Sequence, residues 1–135
     1  MFRNTKSPSA QKRIDSLIGA GTTVHGDVTF TGGLRIDGAV KGRIATTDNQ
    51  TGTLVLSEPA RVDGEIRVSH VVINGTVNGP VAAKDYLELQ AKARVNGDVV
   101  YRTLEMHVGA IVHGKLLHSE QGSASIVELK RVAGE

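Results

Sequence analysis

One phrase of five residues, h-x-G-x-h with h apolar, recurs six times along the chain. It reads Val24-His-Gly26-Asp-Val28, Val40-Lys-Gly42-Arg-Ile44 and Val62-Asp-Gly64-Glu-Ile66. It returns as Val77-Asn-Gly79-Pro-Val81, Val95-Asn-Gly97-Asp-Val99 and Val112-His-Gly114-Lys-Leu116. The leading residues are 16, 22, 15, 18 and 17 positions apart. A shorter phrase, h-x-h, precedes five of the six: Leu34/Ile36, Leu54/Leu56, Val71/Ile73, Leu87/Leu89 and Leu104/Met106. The spacing of 22 carries extra residues around TTDNQTG (46–52), whose Asp, Asn and Gly favour loops. A unit of about 17 residues therefore repeats six times, and such repeats stack into solenoids because one unit cannot bury its apolar face alone.

Within each unit apolar and polar residues alternate at period two, the pattern of a half-buried strand. No sustained helical stripe interrupts the repeat, and a unit of this length has no room for crossover helices. The reading is an all-β, single-domain parallel β-helix of about six windings. One winding forms one rung, and rungs at ~4.8 Å build a rod of roughly 25–30 Å. Aromatic residues are only 3% and Trp is absent, so Val, Ile, Leu and sixteen Gly must fill the interior.

The alternation puts Gly26, Gly42, Gly64, Gly79, Gly97 and Gly114 on the same side as their apolar neighbours, that is, inside. Two explanations stand side by side: opposing walls come too close for a side chain, or a corner needs a bend or a positive φ. Between the glycines the x positions face water. Aligning rungs places Lys41 above Asp63 and Arg43 above Glu65. The stretches IDGAVKGRI (36–44) and INGTVNGPV (73–81) compress the two phrases into one run, so they make two corners of the same tight kind. Elsewhere two extra residues separate the phrases, as in SEPAR (57–61) and QAKAR (90–94).

Residues 1–16 carry Arg3, Lys6, Lys12 and Arg13 against Asp15, a net +3, while the remainder holds twelve Lys/Arg and thirteen Asp/Glu. The expected organisation is a disordered basic tail over 1–16, the repeat domain over 17–118, and a segment over 119–135 that is a cap or a flexible tail. The tail MFRNTKSPSAQKR suits a membrane surface. Met1 and Phe2 form an apolar end, and Arg3, Lys6, Lys12 and Arg13 follow as spaced cations. Burying Phe2 contributes roughly 1.5–3 kcal/mol, and each cation near an anionic leaflet about 1 kcal/mol. One tail binds weakly; a polymer carrying many binds by avidity. There is no Cys, hence no disulfide framework. No apolar run approaches the ~20 residues of a spanning helix, and no signal-peptide core is read. The expected location is the cytoplasm, at the inner face of the membrane.

No catalytic, metal or cofactor constellation emerges. His25 and His113 share an outward position five rungs apart, too far to share a metal. His70, His107 and His118 fit no ligand spacing. GAGTTVHG (19–26) is glycine-rich but lacks the Lys of a phosphate loop, so no nucleotide is expected. Basic residues of the body alternate with acids and stacking aromatics are missing, which argues against nucleic acid. An enzyme reading rests on Ile18, Val24, Phe30 and Ile36, which recur every six residues and resemble the hexapeptide of left-handed β-helix acyltransferases. The beat fails at Gly42 and Asp48. A monomeric β-helical binding module is the other alternative.

Windings of about 17 Val/Ile-Gly residues, a short basic tail opening MF, SLIGAGTTVHGDV (16–28) and LRIDGAVKGRI (34–44) together resemble a bactofilin. The resemblance implies a right-handed β-helix; handedness does not follow from the spacing. It also implies bacterial cytoskeletal filaments that assemble without nucleotide, often on the inner membrane. They scaffold cell-wall enzymes, such as peptidoglycan hydrolases or synthases, and serve cell shape or polarity. Many members end in a Pro-rich extension. This chain ends in SEQGSASIVELKRVAGE (119–135), so no partner binding through such an extension is carried over.

A β-helix leaves a terminal rung at each end, and open strand edges pair with other chains. The last rung holds Val112 and Leu116 with Leu104 and Met106 of its h-x-h phrase, so these four are the expected polymerisation interface. SIVELKR (125–131) is a candidate cap for the same end.

Overall fold

The computed structural model describes residues 14–47 and 50–119. They form sixteen short strands and no helix: β1 (Ser16–Ile18), β2 (Thr23–His25), β3 (Val28–Phe30), β4 (Gly32–Ile36), β5 (Ala39–Lys41), β6 (Ile44–Thr46), β7 (Gly52–Leu56), β8 (Arg61–Asp63), β9 (Ile66–Ile73), β10 (Thr76–Asn78), β11 (Val81–Leu89), β12 (Arg94–Asn96), β13 (Val99–Tyr101), β14 (Leu104–Met106), β15 (Ile111–His113) and β16 (Leu116–His118). Every strand pair is parallel. The chain winds through three ladders per turn, and six turns stack. The Val ladder alone runs β2-β5-β8-β10-β12-β15, one strand from each winding. The other two ladders merge where β9 and β11 pass a corner unbroken, giving one ten-stranded sheet. The repeat solenoid read from the sequence is the fold.

The register shows why. Val24, Val40, Val62, Val77, Val95 and Val112 pair in sequence up one wall. The four central members of this column have no exposed surface. Ile36, Leu56, Ile73 and Leu89 stack likewise on the second wall, and Ile44, Ile66, Val81 and Val99 on the third. All twenty buried core residues are Val, Ile, Leu or Ala. β-Branched and aliphatic side chains fill such columns well because the pleat repeats at fixed spacing from rung to rung.

The six phrase glycines are not in the interior. Each lies at a corner where one strand ends and the next begins, and none of the six is buried. The constraint is the winding below, not an opposing wall. A Cβ on Gly64 would meet the carbonyl group of Gly42, and one on Gly79 that of Gly64. Gly64 and Gly79 also hold φ of 155° and 153°. The bend explanation therefore stands, and the close approach is to stacked backbone. The two tight corners work in a similar way. A Cβ on Gly38 would meet the carbonyl oxygens of Gly19 and Thr22, and one on Gly75 those of Ser57 and Ala60. Each tight turn nests onto a wider turn closed by its own hydrogen bond, Thr22 N–H to Gly19 O or Ala60 N–H to Ser57 O, both 3.0 Å.

The extra residues behind the spacing of 22 sit between β6 and β7. There Thr47 N–H bonds Phe30 O and Gln50 N–H bonds Thr47 O, both at 2.9 Å. Gly52 pairs with Gly32 of the winding below, but the register with β9 above starts only at Thr53. The buried Ser69 hydroxyl accepts from Gly52 N–H and donates to Gly52 O, each at 2.8 Å, so no buried polar group is stranded there.

Candidate assembly face

Among the described residues the first and last windings have a neighbouring winding on one side only. Up the second wall, Leu89 is fully buried and its partner Met106 is 43% exposed. Up the third wall, Val99 is fully buried and Leu116 is 42% exposed. Leu104 and Val112 are half-buried and pack against the core from its end. The four residues singled out from the sequence thus converge on one apolar surface at the end of the rod. The first winding presents a second such surface: Ile18, Val24, Val28 and Phe30 are also only half-buried, and Ile14 is 41% exposed. The sequence reading named only the C-terminal end, although the same alternation applied to the first phrase points to this one. Val108, 97% exposed in the last corner, was missed as well. Met1, Phe2, Arg3, Lys6, Lys12 and Arg13, and the segment 125–131, lie outside the described residues.

The flanks are organised by polar ladders that hold the windings in register. Lys41 pairs with Asp63 in the ladder, and Arg43 reaches Glu65 at 3.6 Å, as the aligned repeats required. Above them Asn78 Nδ2 donates to Asp63 Oδ1 at 2.8 Å, and Asn96 Nδ2 donates to Asn78 Oδ1 at 2.7 Å. The Asn78 hydrogen bond, with help from Arg61 and Lys41, holds the Asp63 carboxyl below its ordinary range. Ser57 and then Arg35 do the same for Asp37. Such exposed ion pairs are screened by water and add little to stability. Their larger effect is to make slipped stackings unfavourable.

One polar cluster was not foreseen. Glu88 and Glu105 are direct ladder partners on the outer face. His107 Nε2 lies 2.8 Å from Glu105 and 3.4 Å from Glu88. The Tyr86 hydroxyl donates to Glu105 at 2.7 Å. Burial and these carboxylates push the Tyr86 phenol well above its ordinary value, while Tyr86 and then His107 lower Glu105. Among the described residues these two carboxylates and the imidazole are the one set with metal-ligand donors within 4.8 Å of one another. Their donor atoms are engaged with each other, with Tyr86 and with Gln90, which donates to Glu88 at 2.9 Å. The signal lay in LEL (87–89) over LEM (104–106), which stacks two glutamates.

A family description, "Bactofilin: Polymer-forming cytoskeletal", matches residues 16–117, from the first strand to the last. The chain belongs to the bactofilins. Bactofilin BacO of Myxococcus xanthus (strain DK1622) is 28% identical over 102 residues, covering 76% of this chain and 78% of that protein. No solved structure matches. The bactofilin match ends at Leu117, so it includes both terminal windings with their exposed apolar surfaces. This bactofilin is thus a member of a polymer-forming cytoskeletal family, and among its described residues the apolar columns stay partly exposed at both terminal windings.

Proposed function

We propose that this bactofilin polymerises end to end, without nucleotide, by burying its terminal windings against further copies. One observation carries the reading: within single columns of the core, side chains pass from full burial at Leu89 and Val99 to about two-fifths exposure at Met106 and Leu116. Apolar area left at the end of an otherwise closed column gains free energy when covered, at about 25 cal/mol per Å². Among the described residues the strands that carry it are edge strands, and such an edge can extend a parallel ladder. A further subunit satisfies both needs at once, and a repeat rod continues itself without a new kind of contact.

The basic tail supports a second part of the reading, that the polymer lies on the cytoplasmic face of the membrane. Phe2 and the cations Arg3, Lys6, Lys12 and Arg13 suit an anionic lipid surface, weakly per subunit and strongly per polymer. Organisation of cell-wall or cell-shape machinery is the role such a membrane-bound scaffold serves, without enzymatic activity of its own. The test is sedimentation and negative-stain microscopy of the purified protein in buffer free of nucleotide and metal. Filaments are expected. A monodisperse monomer across concentration and salt would overturn the reading and favour a binding module.

A further inference from the structure

Among the described inward-facing side chains of the last winding, His118 is the titratable one. His118 pairs with Tyr101, which pairs with Ala83, which pairs with Val68. Val68 and Ala83 are buried core residues, and Tyr101 packs against that core. His118 therefore occupies the inward column of the last winding, where earlier windings place apolar groups. Its ring packs against that of Tyr101 in a tilted contact, with centroids 5.6 Å apart and the planes at 57°. No described strand covers its other side. The inward neighbours in its winding are Leu104, Met106, Val112 and Leu116, none of them charged.

Among the described residues, no carboxylate is paired with His118. From β13 the one titratable neighbour is Tyr101. The remaining charged residues of the last winding and its corners, Arg102, Glu105, His107, His113 and Lys115, are exposed. The histidine ion pairs among the described residues belong to His107. A neutral imidazole can be covered by another subunit at modest cost, because it still packs against Tyr101. An imidazolium in the same place loses water without gaining a carboxylate.

We propose that His118 makes assembly through the last winding pH-dependent, with only the neutral imidazole admitted to the junction. This rests on the end-to-end reading above. Histidine ordinarily titrates near pH 6.5. An imidazolium must release its proton before it enters such a junction, so the critical concentration should rise as pH falls through the ordinary histidine range, by up to about tenfold per pH unit. Free carboxylates ordinarily titrate near pH 4, which leaves the flanking ladders charged through this window.

Sedimentation at pH 7.5 and pH 5.5 tests it on the full chain, with circular dichroism at both values to follow the fold. The wild type should show a critical concentration about tenfold higher at pH 5.5. His118→Gln and His118→Phe, which cannot charge, should assemble equally at both. His113→Gln, on the outward face, should retain the wild-type dependence. Equal wild-type values at both pH, or a His118→Gln that keeps the full dependence, overturn the proposal. Proton release on assembly of the unmodified protein at pH 6.5, read with an indicator dye, is independent of any variant, and its absence is equally fatal. Failure to assemble at pH 7.5 would refute the end-to-end reading itself, and the role of His118 with it.

Discussion

Gly64 rests on Gly42: the place where a Cβ would project from Gly64 is taken by the carbonyl group of the glycine one winding below, with its carbon 2.6 Å away. Backbone fills that space, so nothing flexible can yield. Gly64→Val should destabilise the fold by ~1–3 kcal/mol or more, read as a lower denaturation midpoint. Gly21→Ala is the matching control. Nothing lies within 4 Å of a Cβ there, and its φ lies outside the glycine-favouring region, so it should change stability little.

Val112→Arg should block assembly and keep the fold. Val112 tops a column whose other upper members, Val77 and Val95, are fully buried, but it is itself only half-buried. In the free subunit the Arg head can swing to water past the open end. In a junction it is desolvated beside Leu104 and Leu116. Circular dichroism should retain its β signature while sedimentation shows small species. Filaments of normal length would place the interface elsewhere.

Deleting residues 1–13, or Phe2→Arg, should abolish co-sedimentation with anionic liposomes and leave filament formation unchanged. The first described strand begins at Ser16, beyond the deleted segment, so every described rung is kept in the truncated chain. Binding of the wild type should also weaken as salt rises, since screening shortens the reach of the four tail cations. Equal liposome binding by the truncated protein would remove the tail from the account.

Asp63 should contribute to acid sensitivity. Its carboxyl is held below the ordinary range chiefly by Asn78. A depressed carboxyl stabilises the fold above its unfolded value, near pH 4, and that contribution is lost as pH falls through the folded value. Asp63→Asn keeps an acceptor for Asn78 but cannot titrate. Its melting temperature should therefore fall less steeply than the wild type's between pH 5 and pH 2. Parallel curves for the two proteins would show that Asp63 has no share in the transition.

The six windings, their strand character, the outward Lys41–Asp63 and Arg43–Glu65 pairs and the detour before Gly52 were all legible in the sequence. Each depends on a local period or on aligning neighbouring repeats by their glycines. The family, too, was readable from the phrases in 16–44. Three matters were decided only in three dimensions. The glycines were read as interior because period two was carried through them. The chain bends there instead, and the clash that selects glycine comes from a residue about 17 positions earlier. The Glu88–Glu105–His107 cluster required β14 to lie in register on β11 and His107 to fold back across the corner. Terminal rungs were expected of a β-helix, but that Ile18, Val24, Val28 and Phe30 of the first winding stand only half-buried depends on what covers each strand among the described residues, which no alternation pattern encodes. Periodicity reports which side of a strand faces inward; only stacking decides whether anything lies above it. That is why Leu89 and Met106, one after the other in the same column, differ between full burial and an exposed apolar end.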